Sequence, residues 1–155
     1  MRRSEQLPVT VALVGCSKRK ATSEKGIQAK DLYTGRLCRL GYNHAMERGW
    51  DVQFLSALHG VVDPYYSIPP YDYSMINIPR SQRWKWGVMI VNQLLELYPM
   101  QHLDIVFFAG QDYVKPVIDE AEEQDAYWGY KEPLKGLDLF ARMRWFKANS
   151  TSSLS

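Results

Sequence analysis

Three short apolar runs punctuate the chain, and between them the apolar positions recur at helical spacing. The runs "VTVALVG" (9–15), "WDVQFLSA" (50–57) and "LDIVFFAG" (103–110) are rich in β-branched and aromatic residues and predict buried strands. From Ala29 to Arg48, the positions Leu32, Tyr33, Leu37, Leu40, Tyr42, Ala45 and Met46 follow a helical period interrupted by Gly35 and Gly41, which predicts one broken helix or two short ones. Ser81 to Tyr98 predicts a helix with Trp84, Val88, Val91, Leu94, Leu95 and Tyr98 on one face, stopped by Pro99. "QDYVKPVIDEAEEQ" (111–124) predicts another, capped by Gln111 or Asp112 and carrying Pro116 near its first turn. Strand and helix therefore alternate, which implies right-handed crossovers and an α/β fold: a mostly parallel sheet covered by helices, a Rossmann-like three-layer arrangement. The expected organisation is an N-terminal extension over 1–8, a single α/β domain over 9–146 ending in the ordered segment "WGYKEPLKGLDLFARMRWF", and a flexible tail, "KANSTSSLS", over 147–155.

Composition narrows the class without changing the fold. A chain of 155 residues, 46% hydrophobic and 23% charged, has the size and make-up of one globular domain with a full core. No apolar run approaches the roughly 20 residues that span a bilayer, and "MRRSEQLP" lacks a secretion signal, so the expected location is cytoplasmic, with no membrane partner. In that setting Cys16 and Cys38 are expected as reduced thiols. There is no CxxC, the three histidines are scattered, and neither a metal nor another cofactor is expected. Charge is uneven: residues 1–48 hold ten Lys/Arg against four Asp/Glu, and the remainder holds nine against thirteen. A basic front suits a phosphate-bearing partner, although an isoelectric point near 8.5 falls short of the value above about 9 typical of dedicated nucleic-acid binders.

In open parallel sheets ligands bind beyond the carboxyl ends of the strands, and all three predicted strands end in unusual polar loops. The first supplies Gly15, Cys16, Ser17, Lys18, Arg19 and Lys20, small residues and cations suited to a phosphate or a polynucleotide backbone. GxxxxGK[ST] spacing is absent, which disfavours nucleoside triphosphate hydrolysis. Cys16 is either a nucleophile activated by neighbouring cations or a small residue at the edge of the core. The second loop is a crowd, "SALHGVVDPYYSIPPYD", in which His59 and Asp63 could supply a proton and a carboxylate. Equally, Asp63 could cap the next turn and His59 satisfy a carbonyl. Neither Ser17 nor Ser56 lies in GxSxG, and Ser56, His59 and Asp63 are too close along one loop to converge as a triad. The tyrosines of 65–73, Tyr71 among them, could stack a base or pack the lid of the core. The third loop adds Gly110, Gln111, Asp112 and Tyr113.

Four stretches in order, "VALVGCSKRK", "AKDLYTGRL", "FLSALHGVVDPYYSIPPYDYSM" and "PLKGLDLFARMRWF", resemble the pattern of domains of unknown function related to the YaaA-like peroxide-stress proteins. The resemblance spans about residues 9 to 146 and implies a nucleic-acid partner, DNA foremost, since YaaA-like proteins are described as binding DNA and limiting oxidative damage. The helix-hairpin-helix element of that family has no counterpart in this chain. The Cys-Ser-Lys loop is also similar to one in enzymes that modify deazaguanine bases in tRNA, and "VVDPYY" to the water-activating Asp-Pro-Tyr loop of uracil-DNA glycosylases. The expected function is therefore a base-directed enzyme on nucleic acid, N-glycosylase-like or base-modifying. Catalytic candidates are Asp63, His59, Ser56 and Cys16, and nucleic-acid-binding candidates are Ser17, Lys18, Arg19, Lys20, Tyr33, Tyr71, Gly110, Gln111 and Asp112. A non-catalytic DNA-shielding protein and a small-nucleotide hydrolase or transferase are the alternatives, and the oligomeric state is left open.

Overall fold

A computed structural model describes residues 7–16, 20 and 26–150. Its centre is a five-stranded sheet in the order β4-β3-β1-β6-β7, formed by β1 (Val9–Gly15), β3 (Asp51–Ser56), β4 (Gly60–Val62), β6 (Leu103–Phe108) and β7 (Trp128–Lys131). β1 pairs in parallel with both β3 and β6, β6 pairs in parallel with β7, and only β4 runs antiparallel. A separate two-stranded ribbon joins β2 (Ile27–Gln28) to β5 (Ser67–Ile68).

The unbroken apolar character of β1 has a direct cause: both of its faces are covered. Ala12 and Val14 face a core shared with α1 (Ala29–Leu32), α2 (Arg36–Glu47) and α5 (Leu139–Ala148). Val11 and Leu13 face the other, built with α3 (Arg83–Leu97) and α4 (Gln111–Glu123). The result is the expected α/β three-layer domain. Gly35, in extended backbone, is the N-cap of α2 and makes the break between the two short helices, whereas Gly41 lies inside α2 and interrupts nothing. A Cβ at Gly41 would stand 3.1 Å from that of Phe108, so the missing side chain lets α2 rest on β6.

Several expectations need correction. The buried face of α3 is Trp86, Gly87, Ile90, Val91 and Leu94, while Trp84 and Leu95 face solvent. A Cβ at Gly87 would come 2.4 Å from the Pro116 carbonyl of α4, so the two helices touch backbone to backbone there. The N-cap of α4 is Gly110, not Gln111 or Asp112. Helix α5, capped by Asp138 through its bond from the Ala141 N–H, continues to Ala148 and so takes in residues 147 and 148 of the expected tail. Two further strands, β4 and β7, flank the three foreseen. Among the described residues no helix is long and apolar enough to cross a membrane.

Candidate functional site

The crossovers leave β1 in opposite directions, to β3 on one side and, through β3 and α3, to β6 on the other. The switch point lies between the carboxyl ends of β1 and β6, where an open sheet leaves a crevice. A cleft of about 250 Å³ occupies it, lined among others by Cys16 after β1, Lys20, Tyr71, Asp72, Tyr73, and Asp112 and Tyr113 of α4.

One wall of this cleft is a directed chain of hydroxyls. Ser56 ends β3 and is fully buried, and its Oγ accepts from the backbone N–H of Leu58 at 3.2 Å and of His59 at 3.0 Å. With both lone pairs engaged, its own proton must go to the Tyr71 hydroxyl, 2.7 Å away. The Tyr71 hydroxyl lies 2.7 Å from that of Tyr33, and both tyrosines reach the Cys16 thiol. Burial pushes the Cys16 thiol far above its ordinary range, against the lowering effect of its hydrogen bonding with Tyr33 and Tyr71. Burial likewise raises Tyr33 and Tyr71. The chain therefore stays fully protonated at neutral pH. Lys20 Nζ stands 4.5 Å from the centre of the Tyr71 ring, an attractive placement for a cation, while burial draws its ammonium below the usual value against the pull of Cys16 and Asp72. His59 packs edge-on to Tyr71, with ring centres 4.9 Å apart, and burial lowers its basicity.

The opposite wall comes from α4 and α3. Asp112, exposed in the first turn of α4, pairs at 3.3 Å with Arg83, whose side chain is only 14% exposed and also donates to the Ile78 carbonyl. Tyr113 accepts from the Met75 N–H at 3.2 Å and stands edge-on to Trp86, whose indole donates to the Ser56 carbonyl at 3.0 Å. Both walls are thereby tied to the end of β3.

Over residues 11–148 the sequence matches DUF6884, a family of unknown function. The chain belongs to that family. No curated protein matches it. In this DUF6884 domain, Cys16, Lys20, Tyr71 and Asp112 meet at one cleft, with Ser56 and Tyr33 behind it. Ser17, Lys18 and Arg19 lie outside the described residues. Gly110 and Gln111 stand aside: Gly110 carbonyl begins α4, and Gln111 donates to Glu132 at the surface.

The main displacement concerns Asp63. The loop after β3 is a hairpin: Gly60, at φ +78°, turns the chain back, and β4 retraces β3 until Val62 pairs with Phe54. Asp63 is thereby carried along the sheet edge, away from the cleft, where its Oδ1 accepts from the Tyr65 N–H at 2.9 Å and caps a turn. Sequence reasoning placed the loop at the strand's end because the three-residue strand β4 is too short to show a period. The carboxylates that do face the cleft, Asp72 and Asp112, bracket it with Tyr73 and Tyr113. An acid between two tyrosines in "YDY" was the available signal for Asp72. Nothing in the sequence marked Arg83, whose role depends on a contact between two helices.

Proposed function

We propose that this protein is a base-directed enzyme on nucleic acid, related to the YaaA-like proteins, and that the switch-point cleft receives a single extruded base. The observation that carries this reading is the lining: tyrosines 71, 73 and 113, one ammonium and two carboxylates in about 250 Å³. That volume lies below the range of roughly 300–1,000 Å³ usual for whole drug-sized ligands, and suits a flat fragment such as a base. Aromatic walls fit the stacking of a base taken out of its strand, and Lys20 fits the neighbouring phosphate. Asp72 and Asp112, rather than Asp63, are the carboxylates available to activate water or to stabilise a developing oxocarbenium charge. Ser56 has no free lone pair and Cys16 holds its proton, so the chemistry favoured is direct hydrolysis or proton transfer without a covalent enzyme intermediate.

Those same two silent nucleophiles support a second reading, a DNA-shielding protein that binds and converts nothing. One experiment separates them. Oligonucleotides carrying a panel of damaged and modified bases are incubated with the protein, and base release is followed by mass spectrometry. The enzyme reading expects abasic product, a loss of roughly 10²–10⁴-fold with Asp72→Asn or Asp112→Asn, and near-normal rates with Asp63→Asn. Binding in a mobility shift with no product across the panel would leave the shielding role.

A further inference from the structure

The sheet separates two helical layers of opposite charge. On one side α2 and α5 carry five arginines and lysines against Glu47 alone, and on the other α3 and α4 carry three against six acids. A groove of about 570 Å³ runs between the basic pair, bordered by Arg36, Leu40 and Asn43 of α2 and by Met143, Arg144 and Lys147 of α5. Spacings of three and four residues put each set on one helical stripe. Two of the five cations are already engaged, Arg39 with the Lys30 carbonyl and Arg142 with the Leu137 carbonyl. Arg36, Arg144 and Lys147 are exposed, and the side chain of none of them bonds to or pairs with a described residue. Phe140 adds an aromatic ring, 72% exposed, one turn before Arg144 on the same stripe of α5. Cations in a groove with an exposed ring at its border suit a single nucleic-acid strand, which presents phosphates to pair and bases free to stack.

The position of the groove fits the same partner. Arg48, which closes α2, donates at 2.6 Å to the carbonyl of Asn149, which closes α5, so the two helices end together and lie side by side. α2 begins three residues after Tyr33, whose hydroxyl belongs to the network behind the cleft, so the groove opens at the cleft end of the sheet. Glu47, in the last position of α2, stands at the far end. We propose that the α2–α5 groove carries the single strand of nucleic acid whose extruded base enters the cleft, with Arg36, Arg144 and Lys147 on its phosphates and Phe140 against a base. The assignment rests on the nucleic-acid reading of the cleft. A membrane surface fits less well, because the apolar floor of the groove, Leu40, Met143 and Phe146, is half-buried or buried and cannot enter a bilayer.

Fluorescence anisotropy of a labelled oligothymidylate of about 15 nucleotides, titrated at several salt concentrations, tests the groove without any base release. Three phosphate contacts on a single strand contribute about 2 to the slope of log affinity against log salt. Arg36→Gln, Arg144→Gln and Lys147→Gln combined should therefore flatten the slope by about 2 and weaken binding at least about tenfold at low salt, with the urea midpoint unchanged. Phe140→Ser should weaken binding about fivefold or more and leave the slope as it was. Lys115→Gln, on the acidic layer, should change neither. A combined variant with the affinity and slope of the unsubstituted protein, or a duplex of the same length bound as tightly as the strand, would overturn the groove and leave the cleft reading standing. No binding of the oligomer by the unsubstituted protein would overturn both, and phosphatidylserine vesicles held through the same three cations would then assign this face to a membrane.

Discussion

The cleft and the β3–β4 edge of the sheet are fed by the same stretch of chain, residues 52–72, yet they treat their polar groups in opposite ways. At the cleft every hydroxyl of the Ser56, Tyr71, Tyr33 chain has its partner, and the two backbone N–H groups that fill Ser56 Oγ direct its proton to Tyr71. Along the edge, Gln53 keeps one buried oxygen with none among the described residues. A satisfied buried network rigidifies the side chains that compose it, whereas an orphaned buried acceptor costs free energy. The hairpin turn at Gly60 is what divides the two. A Cβ there would meet Gln93 Oε1 at 2.4 Å, and the positive φ already disfavours a side chain.

The strongest way to break the contrast is to remove the tie between the cleft walls. Trp86 is buried and joins the Ser56 carbonyl to Tyr113, so Trp86→Ala should cost about 3–5 kcal/mol in urea denaturation. Two polar-to-apolar substitutions on the same strand then test the difference itself. Ser56→Ala abandons two backbone N–H groups and the Tyr71 hydroxyl, and should cost about 1–3 kcal/mol. Gln53→Met removes an acceptor that has no partner, and should change stability by less than about 1.5 kcal/mol in either direction. Equal losses at the two positions would show that the Gln53 oxygen is not under-satisfied.

A further effect comes from pH. His44 sits among Trp50, Phe108, Trp145 and Phe146, on the far face of the sheet. Burial first, and the neighbouring Arg48 second, bring it down from 6.5 to about 4. Between those values the unfolded chain takes up a proton that the native one refuses. Its contribution is therefore full above about 6.5, declines as pH falls towards 4 and levels off below. His44→Phe should flatten that part of a plot of urea midpoint against pH. His59, exposed at the seam between the two regions, is lowered by burial in the same direction and should contribute less. A profile that followed His59→Gln instead would locate the acid-sensitive point at the seam.

Local pattern decided a good deal of this protein. Strands buried on both faces read as continuous apolar runs, so β1, β3 and β6 were legible, and with them the alternation that implies a parallel sheet and a crevice at its carboxyl end. Cys16 and Asp112 were legible as residues of the crevice for the same reason, because Cys16 follows β1 directly and Asp112 lies in the first turn of the helix after β6. Strand β4 was not legible, since three residues carry no usable period and its pairing is set by the turn at Gly60. The buried face of α3 was missed because apolar residues stand on two of its stripes, Trp86, Ile90 and Leu94 on one and Trp84, Val88 and Leu95 on another, and packing against the sheet and α4 buries the first. What only the tertiary structure decided is which polar residues meet. His59 and Asp63 lie four positions apart, yet one touches Tyr71 while the other caps a turn at the sheet edge. Cys16, Tyr33, Ser56 and Tyr71 are scattered over more than fifty positions and form one network. Hydrophobic periodicity acts within a few residues and is written locally, whereas a hydrogen bond between side chains depends on the packing of elements whose separation in sequence carries no record of it.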